Sequence, residues 1–220
     1  FFWRDYRWDG KKDIRIGMID DEGLIVMVIS PTRRMINKLI TVKNTPIWVS
    51  GGYGYYEAEK VKKLLFLGSS CIYPKFAAQP LKEESLLSDY LEQTNEPYAI
   101  AKIAGIKLTE AYRDQYGFNS IFLLPVNLYG PGDNFDPQSS HVIPALIRKC
   151  IEATEQGRGE IVVWGDGSPT REFLYVEDAA EGILLASEKF NRSDPVNLGS
   201  GYEIRIKELV EVIARLTGYE

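Results

Sequence analysis

The sequence predicts an α/β fold built on a parallel sheet, on three observations. From residue 64 onward, strand-like and helix-like stretches alternate. The strand-like stretches LLFLGSS and SIFLLPVNLYG are apolar runs ending in small residues or Pro and Gly, the pattern of strands buried on both faces. The helix-like stretches, such as IRIKELVEVIARLTG, repeat apolar residues every three to four positions. With 220 residues, 45% of them hydrophobic and 26% charged, the chain can form one sizeable core, or one domain and part of a second.

Taken in order, residues 13–30 read as two strands around an Asp-Asp-Glu-Gly turn. Residues 31–44 read as a short helix opened by Pro31, and 46–63 as strand, Gly-rich loop and helix. LLFLGSS is the first buried parallel strand, and a long polar loop with three prolines follows it to Pro97. YAIAKIAGIKLTEAYRDQYG reads as a helix with Ala99, Ile103, Ile106 and Ala111 as its apolar set and Gly117 as its stop. SIFLLPVNLYGPGD reads as one strand running into a Pro/Gly-rich loop, and HVIPALIRKCIEATEQG as a helix. EIVVWGDG reads as strand and turn, and REFLYVEDAAEGILLASEKF as a strand, then a helix with Asp178 near its start. PVNLGSG is a short strand, and IRIKELVEVIARLTG is the last, amphipathic helix. There is no internal repeat or low-complexity tract.

The bulk numbers exclude several classes. A net charge of −5 and the lack of a basic run argue against nucleic acid as a partner. Apolar runs such as LIVMVIS are too short to cross a bilayer, so no membrane partner is expected. Two cysteines, Cys71 and Cys150, make neither a disulfide framework nor a metal site, and a reducing cytoplasm is the expected location. The opening FFWRDYRWDGKKD lacks a signal peptide's apolar core and does not begin with Met, so residue 1 reads as a cut end.

In NEPYAIAKIAG, Tyr98 precedes Lys102 by four residues. On a helix the two share a face, and a neighbouring ammonium is expected to lower the phenol's pKa from its usual value near 10. Tyr98 would then serve as a proton donor or acceptor. The spacing alone is not specific, because Tyr56 and Lys60 repeat it among 13 tyrosines. Context favours Tyr98: LLFLGSS ends with Ser69 and Ser70, and strand ends are where ligands gather in open α/β sheets. A Ser there could hydrogen-bond the substrate oxygen that Tyr98 protonates. Ser, Tyr and Lys together are the catalytic signature of short-chain dehydrogenases.

Five stretches sharpen this reading: LFLGSSCIYPKFAAQPLKEESLL, TNEPYAIAKIAGIKL, NLYGPGDNFDPQSSHVIPALIRK, VVWGDGSPTREFLYVEDAA and VNLGSG. Together, and in this order, they resemble the GDP-L-fucose synthases, extended short-chain dehydrogenases, over about residues 61–220. The resemblance implies a Rossmann-like fold and two stages of chemistry at one site. C3 and C5 of GDP-4-keto-6-deoxymannose are inverted, and NADPH then reduces the C4 ketone. The 4-keto group acidifies both neighbouring carbons, and the enolate needs stabilising.

By resemblance, Cys71 matches the epimerisation base; a thiolate suits that work, whereas the plain alternative is a small buried apolar residue. His141, the only histidine, matches the proton donor, against the alternative of a helix cap or surface group. Ser69, four residues before Tyr73, matches the catalytic Ser, with Ser70 as runner-up. Leu67, Gly68, Ser69 and Ser70, with Pro125, Val126, Asn127 and Leu128, match segments lining the nicotinamide, although Leu67 and Leu128 also read as sheet core. Tyr98, Lys102 and His141 complete the implied NADPH contacts, Lys102 holding the nicotinamide ribose. Lys149, Trp164 and Arg171 match positions that bind the GDP-sugar, a cation being reasonable at a diphosphate. Arg171 could equally be a surface residue.

The chain also departs from the family. The resemblance implies strand–helix units and a phosphate-holding Gly-rich loop well before LFLGSS, but only 68 residues precede Ser69. WVSGGYGYYEAEKV supplies Gly51, Gly52 and Gly54, yet Glu57 stands where the last Gly belongs and opposes a phosphate. The sheet is therefore expected to be an incomplete Rossmann-like parallel sheet, the C-terminal half, with part of a smaller substrate-binding domain. Residues 1–60 are an atypical N-terminal segment and 61–130 a partial dinucleotide-binding domain. Residues 131–220 form a partial substrate-binding domain, with 178–200 returning to the sheet. The hairpin at 13–30 is the candidate to cover the sheet edge that missing strands would expose. A homodimer is the oligomer the resemblance implies. The alternatives are another nucleotide-sugar epimerase or dehydratase of the superfamily, or an inactive fragment that only binds a ligand or partner.

Overall fold

The computed structural model describes residues 63–219 in full and, of the preceding residues, the backbone of three strands. These are β1 (Arg15–Ile19), β2 (Leu24–Ile29) and β3 (Ile47–Val49). Then come β4 (Lys63–Leu67), α1 (Glu96–Tyr116), β5 (Ser120–Pro125) and β6 (Asn127–Tyr129). They are followed by α2 (Val142–Glu155), β7 (Thr170–Tyr175) and α3 (Val176–Lys189). β8 (Val196–Leu198), β9 (Glu203–Arg205) and α4 (Ile206–Thr217) complete the chain. The helix expected at 31–44, the Gly-rich loop at 51–54 and the Tyr56/Lys60 pair lie outside the described residues.

The chain divides into two units, one of residues 1–125 and 177–198, the other of 126–176 and 199–220. The first unit holds a sheet of order β3-β1-β2-β4-β5-β8. β2, β4, β5 and β8 run parallel, whereas β1 is antiparallel to β2 and β3. The β1–β2 hairpin thus lies along β4, with Leu24 opposite Lys63 and Met27 opposite Phe66. Its backbone pairs the β4 edge that an incomplete sheet would leave open.

Side chains alternate across a strand. Phe66, Phe122 and Leu124 form one core with Ile72, Tyr73, Ala99 and Ile106 beneath α1. Leu65, Ile121 and Leu123, also buried, point to the opposite face. α1 carries Pro97 in its first turn, where a missing N–H costs nothing, and stops at Gly117 in the left-handed conformation. Its buried residues are Ala99, Lys102 and Ile106. Ala111, expected on that face, is exposed: the less exposed stripe runs from Ala99, Lys102 and Ile106 on to Thr109, Glu110 and Arg113, and the helical period puts Ala111 well off it. The long loop after β4 is less polar in place than in sequence: Leu81, Leu86 and Leu91 pack on the core.

The second unit holds a sheet of order β6-β7-β9, with β6 parallel and β9 antiparallel to β7. Its core joins Leu146 and Cys150 of α2 to Leu209 and Ile213 of α4. Three expectations are corrected here. The run SIFLLPVNLY is two strands in two sheets, broken after Pro125, which has no N–H to give a ladder. EIVVWGD alternates like a strand, Ile161 and Val163 packing inward and Val162 and Trp164 exposed, but it makes no ladder among the described residues. The last helix starts at Ile206, because Glu203–Arg205 pair with β7 instead.

Candidate active site

The carboxyl end of β4 is shaped by Gly68. Its N–H donates to the Leu123 carbonyl at 2.8 Å, and a Cβ there would lie 2.5 Å from the Leu124 side chain. The chain then enters a single 3₁₀ turn, Ser70–Ile72, whose N-cap is Ser69 in extended geometry. The Ser69 Oγ accepts the Cys71 N–H at 3.2 Å. The Tyr98 phenol, which comes in from the first turn of α1, lies close enough to the same hydroxyl to interact with it. The Cys71 thiol is close enough that its ionised form would disfavour a Tyr98 phenolate. Ser69, Cys71 and Tyr98 are therefore one cluster, built by a strand end and a helix start.

Lys102 lies one helical turn further on and is only 3% exposed. Its Nζ donates to the Leu67 carbonyl at 2.8 Å and sits 5.5 Å from the Phe66 ring centroid and 5.6 Å from that of Tyr98. Burial lowers its pKa to about 8. An ammonium has three donors, and one carbonyl leaves donors for a ligand's hydroxyls. Phe66, which the sequence marks only as strand core, forms the floor under this lysine.

The expected direction of the Tyr98 pKa is reversed. It is raised: shielding of the ring is the largest cause, the Ser69 hydroxyl opposes it, and a Cys71 thiolate adds to the rise. The Lys102 ammonium points at the strand carbonyl, and its own lowered pKa weakens the charge it could lend.

The remaining residues expected at the nicotinamide divide between the units. Leu67 is buried, Ser70 is half-buried, and Pro125 ends β5 opposite Leu198. Val126, Asn127 and Leu128 begin the second unit, where the Asn127 amide donates to the Glu172 carbonyl at 2.9 Å and Leu128 pairs with Leu174.

His141 also lies in the second unit. It is exposed at the N-cap of α2, but its imidazole makes no cap bond to the helix. Lys149 and Trp164 are brought together: the Lys149 Nζ is 5.3 Å from the indole centroid and donates to the Val162 carbonyl at 2.7 Å. Trp164 is 85% exposed, unusual for the largest side chain. Arg171 is exposed on β7 and donates to the adjacent Thr170 carbonyl at 2.7 Å. Among the described residues no cluster of metal ligands occurs.

A mostly parallel sheet with Ser69, Tyr98 and Lys102 gathered at the carboxyl end of β4 is an α/β arrangement of the kind in which ligands gather at strand ends. The chain belongs to the NAD dependent epimerase/dehydratase family, whose pattern matches residues 54–199. Among curated proteins it is 57% identical over 160 residues to a probable GDP-L-fucose synthase 1 of Oryza sativa subsp. japonica, covering 73% of this chain and 49% of that one. It is 54% identical over 169 residues to the GDP-L-fucose synthase of Escherichia coli K12, covering 73% and 53% respectively. The structure of a GDP-L-fucose synthetase from Naegleria fowleri bound to NADP superposes with a TM-score of 0.68 at 30% identity, covering 74% of this chain and 53% of that one. The chain spans about half the length of the curated relatives it matches.

Proposed function

We propose that this chain carries the site of an NADPH-dependent nucleotide-sugar epimerase-reductase that converts GDP-4-keto-6-deoxymannose to GDP-L-fucose. One observation carries the reading: a hydroxyl, a phenol and a thiol, Ser69, Tyr98 and Cys71, share one cluster with Lys102 buried a turn away. A simple 4-epimerase needs no thiol there. The similarity to named GDP-L-fucose synthases supports the same reading.

In this reading Cys71 removes the proton at C3 or C5, and His141 returns one to the other face, making the enzyme an isomerase as well as an oxidoreductase. The ketone oxygen takes up charge as the enolate forms, and the Ser69 hydroxyl and Tyr98 phenol stabilise it by hydrogen bonding. NADPH, when bound, supplies hydride to C4. Tyr98 then delivers the proton to the C4 oxygen; its raised pKa keeps the phenol protonated for that task. Lys102 would hold the nicotinamide ribose, and Leu67–Ser70 and Pro125–Leu128 would contribute to the nicotinamide site. Lys149, Trp164 and Arg171 hold the GDP-sugar, the exposed indole offering a stacking face.

In domain terms, residues 61–130 carry most of the cofactor side and 131–220 most of the substrate side, with 178–200 returned to the sheet. Ile100, Leu108, Tyr112 and Tyr116 lie exposed along α1 and suit a homodimer formed through that helix. The unpaired thiols Cys71 and Cys150 suit a reducing compartment such as the cytoplasm.

Two measurements on the full chain test the proposal: enhancement of NADPH fluorescence on binding, and NADPH oxidation on adding GDP-4-keto-6-deoxymannose. Saturable enhancement and sugar-dependent oxidation are expected. No enhancement at high protein concentration would end the claim that this chain is an oxidoreductase.

A further inference from the structure

The turn that carries Cys71 is weak by itself. It is one 3₁₀ turn, closed by backbone bonds of 3.2 Å from the Ile72 N–H and 3.3 Å from the Tyr73 N–H. Yet Cys71 and Ser69 must be held to within a fraction of an ångström for proton abstraction. What steadies the turn is its C-cap, Tyr73. Tyr73 is buried, and its hydroxyl donates to the Asn197 Oδ1 at 2.7 Å. Asn197 lies on β8, opposite Leu124. Its amide donates to the Leu81 carbonyl at 3.2 Å and its backbone N–H to the Glu83 Oε1 at 2.8 Å. A single residue of the sheet thus grips the start of the loop at Tyr73 and its middle at Leu81 and Glu83.

We propose that Tyr73 and Asn197 are positioning residues, a clamp between β8 and the loop that fixes the turn bearing Ser69 and Cys71 against Tyr98. The clamp is structural in means but acts on reactivity. The phenol remains a donor through the range used for thiol chemistry, since burial, with Glu83 and Glu84 nearby, pushes its pKa up to about 12 against the opposing Asn197 bond. The catalytic consequence rests on the function proposed above, whereas the clamp itself does not.

The test has two arms on the full chain. In the first, intact-mass kinetics follow alkylation by iodoacetamide. Cys150 is fully buried, so the rate reports Cys71, with Cys71→Ser as the control. Tyr73→Phe keeps the ring and removes the donor. It and Asn197→Ala are each expected to change the rate by about threefold or more, and the double variant no further. Lys75→Ala, which breaks the Lys75–Glu92 ion pair of the same loop, is expected to leave the rate unchanged. Should Asn197→Ala fail to fold, Tyr73→Phe carries the comparison. A wild-type rate in folded Tyr73→Phe overturns the clamp.

In the second arm, Tyr73→Phe is expected to lower kcat for solvent-deuterium uptake into the keto sugar by about tenfold, with KM within about twofold. A changed alkylation rate with unchanged kcat overturns the catalytic role. If the wild type shows no uptake, it is the proposed function that fails, and the alkylation arm still decides the clamp.

Discussion

Lys102 and Lys149 make the same two kinds of contact. Each donates to one backbone carbonyl and each lies over an aromatic ring, Lys102 at Leu67 and Phe66, Lys149 at Val162 and Trp164. They differ in surroundings. Lys102 is sealed between α1 and β4 with its charge disfavoured, whereas the Lys149 contacts lie at the surface and hold an exposed indole. A buried cation is fixed by the whole fold and is expensive to move. A surface cation is fixed by local contacts worth little and stays available for a ligand. The first suits a group that must not move during chemistry, the second a group that closes on a diphosphate.

The largest expected effect breaks the buried side of this comparison. Tyr98→Phe removes the proton donor above Lys102 and should lower C4 reduction about 10³-fold, read as NADPH oxidation with keto sugar, while the fold persists. Next comes Lys102→Met. The Lys102 pKa is lowered from 10.5 unfolded to about 8 folded, so the unfolded chain binds more protons between those values and stability must rise with pH across that window. Below pH 8 the penalty of the buried ammonium is fully present. Relative to Lys102→Met, the wild type should gain about 2–3 kcal/mol in urea denaturation between pH 7 and pH 10, and a flat difference would refute the burial argument.

Gly105→Ala tests the floor under the lysine. A Cβ there would meet the Phe66 ring at 2.5 and 2.9 Å, and both groups are held by the core, so a loss of about 1–3 kcal/mol is expected. The smallest effect on stability belongs to the surface pair. Trp164→Ala should change unfolding free energy by less than about 1 kcal/mol, the scale of an exposed cation–π contact, while raising KM for the GDP-sugar.

The same contrast explains what the sequence could reveal. The strands β4 and β5 and the helix α1 are buried elements whose apolar period and Gly117 stop are visible one residue at a time. Tyr98 and Ser69 could be paired from strand-end and helix-face geometry over a short span of chain, whereas Cys71 entered only through the resemblance. The break at Pro125 was not legible, because an apolar run looks the same whether it serves one sheet or two. β9 and the exposed stretch at 160–164 escaped because strand character there depends on a partner far away in sequence. The direction of the Tyr98 pKa was misjudged for a related reason. Helix spacing shows that a lysine is near but not that its ammonium turns to the Leu67 carbonyl. Asn197 stands in VNLGSG, but nothing there marks its role, which lies in bonds to residues 73, 81 and 83 across the loop.

In the proposed reaction Cys71 and Tyr98 do different work at one site. Solvent-deuterium incorporation into C3 and C5 of GDP-4-keto-6-deoxymannose, measured by NMR in D₂O, tests it directly. Wild type and Tyr98→Phe should both incorporate deuterium, the latter without reduction, and Cys71→Ser should incorporate none above the uncatalysed rate. Undiminished incorporation by Cys71→Ser would contradict the account.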